Sequence, residues 1–281
     1  MTRTSPTRTK VALVTGASRG IGKASAIALA RAGFDVAIGA RTVHEGEGVD
    51  DARPDRGALP GSLDATAADV EAAGRRALPL CMDLHDHPSL DEAAERALAE
   101  WGRIDVLVNN AVDTGPGSMT RFEDTPIEDF ERKLAANCIA QLVLIKAVLP
   151  TMVDAGGGRI VNITSAVAVN DPPAPAGEGG WGLAYAASKA AFHRTAGALA
   201  VEFGPRGILA FNVEPGMVLT EKMERNQREM GLEGRYPAAP PSVPASVVAW
   251  LATDPDAAAL NGQTFTAQRV ARERGLHPDW R

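Results

Sequence analysis

Residues 11–22 read Val11-Ala12-Leu13-Val14-Thr15-Gly16-Ala17-Ser18-Arg19-Gly20-Ile21-Gly22, and a helical pattern from Lys23 to Ala32 follows at once. A short aliphatic run closed by glycine predicts a buried strand ending in a tight turn. Strand, glycine turn and helix in this order bring backbone N–H groups to a helix N-terminus. There the macrodipole favours negative charge, and missing side chains let a pyrophosphate approach closely. The stretch predicts the first unit of a nucleotide-binding sheet.

Similar runs recur at Asp35 to Ala40, Ala77 to Cys81, Val106 to Asn109, Arg159 to Ile163, Leu209 to Val213 and Thr264 to Thr266. Most are separated by apolar residues at helical spacing, such as Ile127, Phe130, Leu134, Leu144, Ile145 and Val148 in a long helix ending before Gly156. Strands alternating with helices predict an α/β fold: a doubly wound, predominantly parallel sheet of seven strands with helices on both faces. A chain of 281 residues suits one such domain, here 10–281, after a disordered tail at 1–9.

Three stretches break the rhythm. Residues 42–62 carry Gly46, Gly48, Pro54, Gly57, Pro60 and Gly61 and read as an insertion, after which Asp64 is expected to cap a helix running to Gly74. Residues 168–182 include Pro172, Pro173 and Pro175, and 217–244 combine a charged helical piece, Glu221 to Met230, with a proline cluster. Long irregular segments in compact domains are often lids or binding loops.

A net charge of −6 argues against nucleic-acid and membrane-surface partners, which require a positive surface. Residues 1–10 lack the apolar stretch of a signal peptide, and no later run reads as long enough to span a bilayer. Cys81 and Cys138 sit in apolar stretches and read as packing residues, so a cytoplasmic location is the simpler expectation.

Tyr185 and Lys189 share one helix face. A phenol beside an ammonium is a candidate proton-transfer pair, because a nearby positive charge lowers the phenol pKa. With the glycine turn and other motifs, the pair gives the chain a resemblance to the short-chain dehydrogenase/reductase family along nearly its whole length. The pattern TGxxxGIG stands at Thr15, Gly16, Gly20, Ile21 and Gly22, and Asn109-Asn110-Ala111 ends the fourth strand. Asn137 lies in the long helix, Ile160-Val161-Asn162-Ile163-Thr164-Ser165 forms a strand ending in serine, and Asn212, Pro215, Gly216 and Thr220 resemble the turn over the nicotinamide.

The resemblance implies a Rossmann-type fold and an NADP(H)-dependent oxidoreductase that interconverts a secondary alcohol and a ketone or aldehyde. Tyr185 would transfer the proton, Lys189 would lower its pKa and bind the nicotinamide ribose, Ser165 would bind the developing oxyanion, and Asn137 would bind a water linking Lys189 to solvent. Gly16, Ser18, Arg19, Gly20, Ile21, Gly22, Asp83, Leu84, Asn110, Ala111, Pro215, Gly216, Val218 and Thr220 would complete the cofactor site with Tyr185 and Lys189. A small-molecule substrate and a homodimer or homotetramer are implied as well.

Cofactor choice turns on the end of the second strand, where an acidic residue is absent and Arg41 stands; Arg41 and Arg19 point to the 2′-phosphate of NADP. NAD remains the alternative, since Glu45, Glu47, Asp50 or Asp51 of the insertion could fold back onto the ribose hydroxyls. A nucleotide-binding sensor without turnover is the alternative from another class, and retention of Ser165, Tyr185 and Lys189 argues against it. Val112 replaces the family's usual glycine, and the residues from Ala267 to Arg281, with Trp280, replace its usual ending and are expected to pack on a neighbouring subunit. Asp83, His85, Asp86 and His87 read as a solvated turn with no metal, His193 as a surface or interface residue, and Trp101 and Trp250 as core anchors.

Overall fold

β1 (Val11–Thr15) is buried at every position, as expected of a strand covered on both faces. Its side chains alternate. Ala12 and Val14 join one core cluster and Val11 and Leu13 the other. The computed structural model describes residues 9–229, 231, 233, 234 and 237–281, so most of the expected tail at 1–9, and Met230, lie outside the described residues.

β2 (Asp35–Ala40), β3 (Ala77–Cys81), β4 (Val106–Asn109), β5 (Gly158–Ile163), β6 (Ile208–Glu214) and β7 (Thr264–Thr266) complete the sheet among the described residues. Its order is β3-β2-β1-β4-β5-β6-β7, and every neighbouring pair is parallel. The order reverses between β1 and β4. That switch point opens a crevice beyond the C-terminal ends of the strands.

One face is covered by α1 (Gly20–Arg31), α2 (Leu63–Ala72), α8 (Ser242–Thr253) and α9 (Ala267–Arg274), the other by α3 (His87–Trp101), α5 (Ala140–Asp154) and α6 (Leu183–Phe203). α4 (Ile127–Leu134) leads into α5 through a π-helical turn at Ala135–Ile139, and α7 (Glu221–Glu229) lies in the segment after β6. Trp101 and Trp250 are buried as expected.

Several local expectations are corrected. Ser62, not Asp64, caps α2: its hydroxyl accepts from the Ala65 N–H at 3.1 Å, and the helix ends at Ala72. Cys81 is exposed on an edge strand, whereas Cys138 is buried; both thiols are free. The run Ile127–Asp154 is 28 residues of helix, long and apolar enough to cross a membrane by length and composition, contrary to the sequence reading. Half of its most apolar window is buried within the fold, where α5 serves as a core helix against the sheet.

The C-terminal segment packs on its own chain. Ala267, Val270 and Ala271 enter the core, and the Trp280 indole donates to the Gln268 carbonyl at 3.0 Å. His193 also turns inward, its Nε2 lying 3.2 Å from Thr264 Oγ1.

Candidate active site

The glycine turn is built for close approach. Gly16 (φ +64°) and Gly20 (φ +55°) occupy the left-handed region, and a Cβ at Gly22 would stand 2.2 Å from the Gly16 carbonyl oxygen. Asn110 clamps the turn by donating from Nδ2 to the carbonyls of Thr15 (2.8 Å) and Gly16 (3.2 Å). Thr15 Oγ1 in turn accepts from the N–H groups of Asn110 and Ala111, both at 2.9 Å, so β1 and β4 are stitched together at the switch point. A cradle of this shape, opening on the N-terminus of α1, fits a dinucleotide's pyrophosphate.

Gly16, Ser18, Arg19, Gly20, Ile21, Arg41, Asp83, Leu84, Asn110, Ala111 and Thr220 line the crevice, together with Val112, Asp51 and Lys222. Gly22 lies behind the turn. Pro215, Gly216 and Val218 belong to the strand-to-loop corner after β6, which α9 holds through Gln268 Nε2 on the carbonyls of Pro215 (3.1 Å) and Met217 (2.9 Å). The C-terminal segment thereby supports this corner.

Ser165, Tyr185 and Lys189 converge beyond the end of β5. Ser165 begins a short turn (Ala166–Ala168), and its hydroxyl hydrogen-bonds the Tyr185 side chain. Lys189 is buried and donates to the Ile163 carbonyl at 3.0 Å. Burial pushes the Tyr185 phenol above its ordinary pKa, opposed by the Ser165 hydrogen bond, and lowers the Lys189 pKa to about 8. The sequence reading expected the lysine charge to depress the phenol; desolvation wins. At neutral pH the arrangement holds a protonated phenol against a serine hydroxyl, with an ammonium one turn along the helix, so it can donate a proton to an oxygen placed between them.

The Asn137 side chain is buried. Its Oδ1 accepts from the Asp113 N–H at 2.7 Å and its Nδ2 donates to Ser188 Oγ at 3.0 Å, so its amide ties the loop after β4 to the helix carrying Tyr185. Asn212 is not in the turn over the crevice. It ends a ladder across β4, β5 and β6 in which Asn109 donates to Asn162 (3.0 Å), Asn162 to Asn212 (3.4 Å), and Asn212 to the His193 carbonyl (2.8 Å).

The two arginines both engage protein groups. Arg19 donates to the carbonyls of Pro60 (2.9 Å) and Gly61 (3.1 Å) and to Thr42 Oγ1 (3.2 Å), and Arg41 is paired with Asp51. Asp83 turns back to accept from the His85 N–H at 2.9 Å while still lining the crevice. His85 Nε2 lies 3.1 Å from Asp113, and no group of metal-ligating side chains occurs among the described residues.

A model of the short chain dehydrogenase family matches residues 10–231. The chain belongs to the short-chain dehydrogenase/reductase family. The 3-oxoacyl-[acyl-carrier-protein] reductase of Synechocystis sp. is 34% identical over 260 residues, 91% of this chain and 94% of that protein. A 3-oxoacyl (acyl-carrier-protein) reductase from Agrobacterium tumefaciens C58, solved with NADP bound, superposes with a TM-score of 0.76 at 28% identity, covering 92% of this chain and 93% of that one. A short chain dehydrogenase from Mycobacterium paratuberculosis bound to NAD gives 0.73 at 27% identity, covering 94% and 97%.

Within this short-chain dehydrogenase/reductase, sequence reasoning missed the polar groups that close the crevice. Glu221 Oε2 accepts from the Gly20 N–H at 2.9 Å, at the N-terminus of α1. Asp50, 1% exposed, pairs with Lys222 (2.7 Å) and Arg225 (2.9 Å), so α7 is tied to the 42–62 segment. Asp113 is buried with Lys133, Arg132 and the Gly115 N–H. Burial pushes its carboxyl up, and those partners more than offset that push, leaving its pKa below the ordinary value. Lys133 stands among the other charged residues of α4, so nothing in the sequence set it apart as the buried one.

Proposed function

We propose that this protein is an NAD(P)(H)-dependent oxidoreductase that interconverts a secondary alcohol and a ketone. The observation that carries the reading is the convergence of Ser165, Tyr185 and Lys189 beyond β5, beside a glycine cradle fitted to a pyrophosphate. The nicotinamide, when bound, supplies or accepts the hydride.

Tyr185 holds the proton. Its raised pKa keeps the phenol protonated at neutral pH, the state that delivers a proton to a carbonyl oxygen becoming an alkoxide. Ser165 Oγ, already within hydrogen-bond reach of the phenol, donates to the same oxygen, and this bond strengthens as negative charge develops. Lys189 presents a charge that favours loss of the phenolic proton during turnover. Asn137 and Ser188 keep the Tyr185 helix in place, because Ser188 Oγ also donates to the Tyr185 carbonyl at 2.8 Å.

Lys222 of α7 lines the crevice, and the 168–182 segment leads directly into the helix that carries Tyr185. Gly182 donates to the Ser118 carbonyl at 2.8 Å, which joins that segment to the loop after β4. Ile127, Leu134, Ile139 and Leu183 are exposed apolar side chains on α4, the π turn and α6, which supports a homo-oligomer. Arg41 in the crevice favours a 2′-phosphate, and Asp51 opposite it favours a ribose diol.

Tyr185→Phe tests the reading with a panel of ketones and both reduced cofactors. kcat should fall about 10²–10⁴-fold while cofactor affinity stays within a few-fold. Turnover at the parent rate in the variant would refute the assignment, and a parent inactive on the whole panel would favour a sensor.

A further inference from the structure

The guanidinium of Arg41 is already occupied. Arg41 directly follows β2, and its two terminal nitrogens donate to the two carboxylate oxygens of Asp51, Nη1 to Oδ1 at 3.1 Å and Nη2 to Oδ2 at 2.6 Å. Two parallel N–H···O bonds to one carboxylate are the strongest geometry an arginine fork adopts, and the same fork is what a phosphate would require. Both residues line the crevice, as does Asp83, whose carboxylate stands 4.0 Å from Arg41.

Asp51 does not hang on a free loop. Its neighbour Asp50 is 1% exposed and fixed by Lys222 and Arg225 of α7. Gly48 pairs with Leu59 across the segment, and the far end is held where Arg19 grips the carbonyls of Pro60 and Gly61. The carboxylate is thus delivered to Arg41 by a braced backbone, and Arg19, which lines the same crevice, is consumed in the bracing.

We propose that Asp51 sets the cofactor preference of this enzyme in favour of NAD(H), by neutralising Arg41 and offering its remaining acceptor capacity to the adenosine ribose. This rests on the oxidoreductase reading and deepens it. A carboxylate has about four lone-pair sites, of which the fork takes two, leaving acceptors for hydroxyl donors. A 2′-phosphate brings roughly two negative charges and no donor at neutral pH. It would have to displace Asp51 from its fork or settle beside two carboxylates, Asp51 and Asp83, against one positive charge. The preference expected from the second strand alone, where an arginine replaces the acid, is reversed by an acid supplied from the insertion.

The experiment is a pair of binding titrations on the full-length protein, NAD⁺ and NADP⁺ measured separately by calorimetry without substrate. The parent should bind NAD⁺ at least about tenfold more tightly, the factor that corresponds to 1.4 kcal/mol. Asp51→Asn, which keeps the shape and removes the charge, should move the ratio of dissociation constants toward NADP⁺ by tenfold or more. Adding Arg41→Gln to it should abolish that gain, because the fork freed by the first change is gone. Asp51→Ser serves the same purpose should the asparagine variant not fold.

A parent that prefers NADP⁺, or a ratio unmoved in Asp51→Asn and Asp51→Ser, overturns the proposal. The failures are separable: a protein with the expected ratio but no turnover on any carbonyl defeats only the oxidoreductase reading. One that turns over with NADPH preferred defeats only the role of Asp51.

Discussion

Lys189→Met separates the burden that Lys189 places on the fold from its part in the site. The ammonium is 3% exposed, donates to the Ile163 carbonyl, and has its pKa lowered by burial from 10.5 to about 8. A base whose folded pKa lies below its unfolded value binds fewer protons when folded. Stability therefore rises with pH between the two values, and the full penalty is present below about 8. The gap corresponds to about 3 kcal/mol at pH 7. Methionine keeps the apolar stem and ends the penalty, at the loss of one hydrogen bond worth about 1 kcal/mol.

The variant should consequently be about 2 kcal/mol more stable than the parent at pH 7, a rise of roughly 4–8 °C in Tm for a chain near this size. Its advantage should vanish near about pH 10, where the parent lysine is neutral when folded and increasingly so when unfolded. Urea or thermal unfolding of both cofactor-free proteins at pH 7, 8.5 and 10 measures this directly. A variant less stable than the parent at pH 7, or a difference that does not change with pH, refutes the reasoning. Turnover should be lost throughout, so stability and activity move in opposite directions.

Two further outcomes are expected. Asp113→Asn leaves Lys133, fully buried, and Arg132 without their carboxylate and should destabilise the protein by about 3–5 kcal/mol, read as an earlier urea midpoint with unchanged slope. Glu221→Gln keeps an acceptor for the Gly20 N–H but removes a negative charge from the N-terminus of α1, so ADP should bind about two- to fivefold more tightly, matching about 0.3–1 kcal/mol of dipole interaction. An unchanged or weaker ADP dissociation constant would show that Glu221 does not compete with a nucleotide phosphate.

Much of this architecture was legible because its signals are local. The seven strands are announced by runs of aliphatic residues, and most of their bounds coincide with those read from sequence. The turn at Gly16 and Gly20 needs positive φ, which glycine alone adopts freely. Where local signals competed, the reading slipped: Ser62 and Asp64 are both good capping residues, and only the chain's path into α2 selects the serine. Tyr185 shows a different failure, for spacing alone put an ammonium near a phenol but could not show that burial would shift both groups, Lys189 being buried and Tyr185 half-buried.

By itself the sequence determined the parallel sheet, the phosphate cradle and the family, since strand periodicity, turn chemistry and motif order are written along the chain. The tertiary structure decided which charges meet. Asp51 reaches Arg41 only because the insertion folds back, Glu221 reaches Gly20 from 201 residues away, and Asp113 gathers Lys133 and Arg132 beneath the loop after β4. Ion pairs and backbone caps formed across such separations have no period or fixed spacing, and their strength depends on burial that the complete fold alone creates.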